Sequence, residues 1–220
     1  MVVPEFNWGK IVSLTEVGIW IAVGFVSGSV PWSLVLTSIL SDKDAREIGD
    51  GNPGATNAWI MAGWRVGMAS MVFDVGKSAI PIWLALESLE YSNRVGDHVL
   101  IAAIAISPII GHAWSPLLRL KGGKALASSW GSWIAITSGF AFPVALVILG
   151  LMHLIQKNHA LTVTVCLAGF IGVFLPIIRE NYIFLFGTVN LALVALKHRR
   201  EYSKGIVMRN WVRKLSGDSA

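Results

Sequence analysis

Three polar segments carry the residue types that could do chemistry, and each abuts a long apolar run. Residues 46–57 read R-E-I-G-D-G-N-P-G-A-T-N. Gly49, Gly51 and Gly54 let the backbone turn sharply and bring its N–H groups close to an anion. A helix starting just after them would add unpaired donors and the positive end of its dipole. Arg46 supplies a cation, and Asn52, Thr56 and Asn57 supply neutral donors and acceptors. The second segment runs from Gly111-His112 to Leu120-Lys121-Gly122-Gly123-Lys124. Two lysines around a glycine pair, ahead of an apolar stretch, form a second anion cradle. A flank of positive charge beside a membrane span would explain the lysines but not the glycines. His112 ends an apolar run, which suits either a general base or a packing histidine. The third segment is Lys197-His198-Arg199-Arg200-Glu201, equally readable as the basic stop of a membrane span. Phosphate is the ligand chemistry common to all three.

Two tempting motifs fail on context. Gly49, Gly51 and Gly54 fit G-x-G-x-x-G literally, with Asp74 further on, but an apolar span stands where a dinucleotide fold needs a strand. Gly76-Lys77-Ser78 has the end of a phosphate-binding P-loop, but position 71 is methionine rather than glycine. The single cysteine, Cys166, excludes an intramolecular disulfide and a cysteine metal site, and reads as a small buried hydrophobe.

The elements that position these segments follow from composition. Of 220 residues 54% are hydrophobic and only 14% charged, and the mean hydropathy is +0.63. Soluble domains carry about 25% charged residues, so too few charges are present to cover a soluble surface. An all-α integral membrane protein is predicted. Apolar runs cover residues 17–40, 58–86, 99–118, 125–152, 161–178 and 182–196. About seven helices making five crossings accommodate them, because a 30 Å core needs about 20 helical residues. Residues 1–220 read as one domain with a basic tail at 197–220. Residues 197–214 hold seven basic side chains against Glu201, and the segment around Lys121 is basic too, whereas 87–97 hold three acids and Arg94. The tail and all three motif loops are therefore expected on the cytoplasmic face, with Arg94 and the N-terminus outside. The net charge of +5 serves the membrane surface and not nucleic acid.

Within the spans, Arg65, Asp74 and Lys77 should face the interior or pair, and Asp74 with Lys77 has the spacing of a helical ion pair. Gly24/Gly28 and Gly63/Gly67 mark close helix packing. Trp114, Trp130, Trp133 and Trp211 are expected in an interfacial belt or in packing. Val207, Trp211 and Leu215 recur every four residues, as in a surface helix over 206–215.

Gly28-Ser29-Val30-Pro31, the run 49–57, Asp74 with Lys77, Gly111-His112 and Lys121-Gly122-Gly123-Lys124 together resemble the bacterial acyl-phosphate-dependent glycerol-3-phosphate acyltransferases. The resemblance extends in order and spacing over about residues 17–200, and G-x-G-N-P-G-A-T-N with K-G-G-K is a specific combination. It implies a seven-helix inner-membrane enzyme that acylates the 1-hydroxyl of glycerol 3-phosphate from acyl phosphate, giving lysophosphatidate and phosphate, with no metal or other cofactor. The chain departs from the family at Ile60, where arginine is usual, at Ala125, where glycine is usual, and at His198-Arg199-Arg200-Glu201, where H-R-E-N is usual. On this reading His112, Lys121 and Asn57 are catalytic. Ser29, Arg46, Gly51, Asn52, Gly54, Thr56, Lys124, His198 and Arg199 bind substrate. The expected partners are the two substrates and the lipid bilayer, with the chain acting as a monomer. A transporter of a phosphorylated small molecule and a catalytically idle paralogue are the alternatives.

Overall fold

The computed structural model describes residues 13–89 and 95–215, and these are helical apart from short connections. Helix α1 (Leu14–Ser29) is followed, after Val30-Pro31, by α2 (Trp32–Ser41). Then come α3 (Ala55–Ala62), α4 (Trp64–Ser88), α5 (Val95–Ala113), α6 (Leu126–Ile136), α7 (Ala141–Ile155), α8 (His159–Ile178), α9 (Asn181–His198) and α10 (Asn210–Leu215). Among the described residues four stretches are long and apolar enough to cross a membrane: Leu14–Ser41, Trp64–Ser88, Gly96–Leu118 and His159–Ile178. Large apolar side chains such as Val26, Val72, Ile80, Val147 and Ile177 remain exposed on the outer surface, as a lipid-facing bundle requires.

α1 packs along α5, α4 along α6, and α8 against α9. Gly28 permits the first contact: a Cβ there would lie 2.1 Å from the Pro108 carbonyl oxygen. The core is aromatic. Trp133 is fully buried against Phe170, Phe174 and Phe186, and its indole N–H donates to Asn190 Oδ1 at 3.0 Å.

The break between α1 and α2 explains the charges inside α4. Pro31 has no N–H, and its ring disfavours helix at Val30, which adopts extended backbone. Lys77 donates at 2.7 Å to the Val30 carbonyl, which also accepts from the Trp32 N–H at this break, and pairs with Asp74 at 2.7 Å. Asp74 also accepts from Ser33 at 2.8 Å. The expected Asp74–Lys77 pair is therefore present, and it ties α4 to the broken helix. Arg65 departs from expectation: it is exposed near the start of α4, with its guanidinium 5.4 Å from the Trp64 ring centroid.

Two other expectations are corrected, and one of two alternatives is decided. The uncharged run 125–152, read as one apolar span, is not one continuous helix. It folds as α6 and α7, parted by a turn in which Ser138 and Gly139 have positive φ. Trp133, expected in the belt or in packing, is packed in the core as the second of these readings has it. Within 206–215, helix covers only Asn210–Leu215, and the segment before it is extended against the end of α7. There Val207 accepts from the Lys157 N–H at 2.7 Å, and Arg209 N–H donates to Ile155 at 3.0 Å. Arg94 lies outside the described residues.

Candidate active site

The loop before α3, the end of α5, the loop before α6 and the facing ends of α7 and α8 enclose a cleft of about 490 Å³. Polar groups reach it from Asp50, Asn52, Thr56, Asn57, Asp74, His112, Lys124, His153 and His159. Met71, Val75, Leu126, Trp130, Leu149 and Val163 supply apolar walls.

Asn57 organises the first loop. Its buried amide donates to the carbonyls of Ile48 and Asn52, each at 3.0 Å, and to Asp50 Oδ1 at 3.2 Å. The side chain expected to be catalytic thus spends its donors on loop shape. Gly51 has a φ of +70°, in the left-handed region that favours glycine. Gly54 caps α3 and has no side chain to accept from the first N–H groups of that helix, which begins beside the cleft.

His112 is 8% exposed and packs on the second loop. Gly123 N–H donates to the His112 carbonyl at 3.0 Å, and the His112 ring lies directly over Gly123. Ala125, which precedes α6, has a φ of +67° and is fully buried. A left-handed alanine costs about 1–2 kcal/mol, which is the physical sense of the glycine usual there.

Lys124 joins the three motif segments. Its ammonium contacts Asp50 Oδ2 at 2.5 Å and Glu201 Oε1. Burial alone would lower the Lys124 pKa, but the bonds to Asp50 and Glu201 outweigh it and hold the ammonium above the ordinary lysine value. Burial likewise acts to raise Asp50, while the Lys124 contact and the Asn52 N–H keep its carboxyl below the usual carboxylate range.

The remaining expected residues are dispersed. Lys121 is exposed and does not line the cleft. Arg46 pairs with Asp44 at 2.5 Å beside a separate hollow of about 670 Å³. Ser29 donates to the Phe25 carbonyl at 2.7 Å. Arg199 donates to Leu196 at 3.1 Å, back onto its own helix end. His198 is buried behind the lining, with Nδ1 2.9 Å from the Val194 carbonyl oxygen and its ring 6.2 Å from that of His159. Sequence reasoning passed over Asp50, Glu201, His153 and His159. The first two lie inside the polar segments already singled out. The two histidines flank apolar helices, where only their polarity beside an apolar run marked them.

Fold and site define a helical membrane bundle in which a mixed cleft joins glycine-rich polar loops to apolar helix faces. A family model described as glycerol-3-phosphate acyltransferase matches residues 18–207, and the chain belongs to that family. It is 42% identical over 117 residues to glycerol-3-phosphate acyltransferase 1 of Thermotoga maritima, covering 53% of this chain and 56% of that one. It is 36% identical over 119 residues to glycerol-3-phosphate acyltransferase of Desulfovibrio desulfuricans, covering 54% and 50%. The chain thus spans about half the length of these relatives. The fold is similar to the crystal structure of PlsY (YgiH), an integral membrane glycerol 3-phosphate acyltransferase in its glycerol 3-phosphate form. The TM-score is 0.70 at 22% identity, covering 93% of this chain and 94% of that one. The chain is an integral, multi-pass helical membrane protein.

Proposed function

We propose that this protein transfers a fatty acyl group from acyl phosphate to the 1-hydroxyl of glycerol 3-phosphate, releasing lysophosphatidate and phosphate. The observation that carries the reading is the meeting of the 50–57 loop, His112 and Lys124 in one cleft whose other walls are apolar. Such a cleft suits a phosphate held at its loops and an acyl chain laid among its helices. Similar PlsY structures exist in glycerol 3-phosphate and lysophosphatidic acid forms.

Acyl phosphate is an activated mixed anhydride, so catalysis consists of positioning and charge neutralisation. The hydroxyl oxygen attacks the acyl carbonyl carbon, the bond from that carbon to the phosphate oxygen breaks, and phosphate leaves. Lys124 and the first N–H groups of α3 neutralise phosphate oxygens. Asn52 and Thr56 orient the glycerol part, and Asn57 and Gly51 hold the loop in shape. The hydroxyl proton passes to His112 or to a substrate phosphate oxygen. Lys121, Arg46 and Arg199, outside the lining, contribute a positive field that draws anions toward the cleft, and Ser29 braces α1. His198 stands behind the cleft wall next to His159. We place the loops on the cytoplasmic face, the N-terminus outside, and the working unit as a monomer.

The test is incubation of the purified protein in detergent micelles with palmitoyl phosphate and labelled glycerol 3-phosphate. Labelled lysophosphatidate and phosphate in equal amounts are expected. Uptake into vesicles without product would identify a transporter, and neither result would reject both readings.

A further inference from the structure

We infer that Glu201 is a positioning residue that occupies the anion seat at Lys124 until a substrate phosphate displaces it. The inference rests on the reading that Lys124 binds phosphate. Lys124 sits between two carboxylates that are held very differently. Asp50 is fixed through Oδ1, which accepts from the Asn52 N–H at 3.1 Å and the Asn57 amide at 3.2 Å. The Glu201 carboxylate has, among the described residues, Lys124 as its one side-chain partner. Its backbone stays anchored during any side-chain motion, because the Glu201 N–H donates to the His198 carbonyl at 2.8 Å and its own carbonyl accepts from Asn158.

Charge makes the exchange necessary. Lys124 already carries two carboxylates, Asp50 and Glu201, while Lys77 is committed to Asp74 and Val30 and Lys197 to the Ala113 carbonyl. A phosphate dianion added to Lys124 with both carboxylates in place would meet net repulsion in a partly desolvated cleft. One carboxylate has to leave, and Glu201 is the one that is free to do so.

A destination lies beside it. His198 is 1% exposed, its Nδ1 engages Val194, and its Nε2 is buried with no hydrogen-bond partner among the described residues. The groups facing His198 and His159 are His153 from α7, Lys124 and Asp50 from the two loops, and Glu201 itself. A Glu201 carboxylate released from Lys124 would draw a proton onto this imidazole pair, so phosphate binding is accompanied by proton uptake and weakens as pH rises through the histidine range.

The experiment titrates inorganic phosphate into the full chain in detergent micelles by calorimetry at several pH values, with kcat and KM for glycerol 3-phosphate measured alongside. Glu201→Gln should tighten phosphate about tenfold, the effect of removing one nearby like charge after screening. It should also flatten the pH dependence and lower KM more than it changes kcat. Glu201→Asp, too short to hold Lys124 in the same way, should move binding in the same direction if glutamine disturbs the fold. Weaker or unchanged phosphate binding in folded Glu201 variants would make the residue a mere strut and overturn the inference. Lys124→Met separates the two readings: loss of phosphate binding there upholds the seat whatever Glu201 does, and unchanged binding would remove the seat itself.

Discussion

Gly123→Ala tests whether His112 works at the position it occupies. A Cβ at residue 123 would lie 2.2 Å from His112 Nε2, where ordinary contact begins at 3.4 Å, so the imidazole has to retreat by about 1.2 Å. Position 123 is buried at the end of the loop that builds the cleft, and the ring moves more readily than the backbone. A misplacement of about 1 Å at a reacting centre costs on the order of 100-fold in rate. Gly123→Ala should therefore lower kcat/KM for both substrates about 30- to 100-fold, with membrane levels and thermal unfolding near the parent's. The assay is lysophosphatidate formation in micelles, run as a double-mutant cycle with His112→Ala. On the His112→Ala background the glycine substitution should cost little, because the ring it displaces is gone. Gly122→Ala is the contrasting control, since its Cβ would fall 2.1 Å from the backbone oxygen of His112 and should lower stability instead. Parent-like kinetics in Gly123→Ala, or full additivity in the cycle, would refute a role for His112 in its present place.

The other expectations concern charge and packing. Lys124→Ala should lower kcat/KM about 10- to 150-fold, the value of one charge-assisted hydrogen bond of roughly 1.5–3 kcal/mol, while Lys121→Ala should stay within about threefold; equal losses would contradict the placement of Lys124 alone in the cleft. Lys77→Met should destabilise the protein by about 3–5 kcal/mol because it strands Asp74, and adding Asp74→Asn should restore much of that in thermal unfolding. Asp50, held below the usual carboxylate range, stabilises the fold at neutral pH and loses that contribution as pH falls through its folded pKa. Asp50→Asn should therefore flatten the acid limb of a pH–Tm profile by no more than about 1 kcal/mol, because the side chain is half exposed. Asn190→Leu leaves the buried Trp133 N–H without its acceptor and should cost about 1–3 kcal/mol, read as a lower Tm with activity retained.

What the chain alone determined is whatever adds up along it. Hydropathy accumulates residue by residue, so the membrane class and most helices follow from the runs. The Asp74–Lys77 pair follows from helical spacing, because residues three apart share a face and an unpaired charge is costly in lipid. Glycine-rich loops around lysines declare anion chemistry wherever they fall. The tertiary structure decided what depends on closure. A run without charges does not reveal that it turns at Ser138-Gly139, because an uncharged turn in an apolar bundle leaves no hydropathy signal. Lys121 and Lys124 look equivalent in K-G-G-K, yet one faces outward and the other meets Asp50 and Glu201, brought from far away in the chain by the packing of α4, α6 and α9. His153 meets His159, and His159 meets His198, only when α7, α8 and α9 pack against one another, since ring contacts depend on distance in space and sequence spacing carries no record of it.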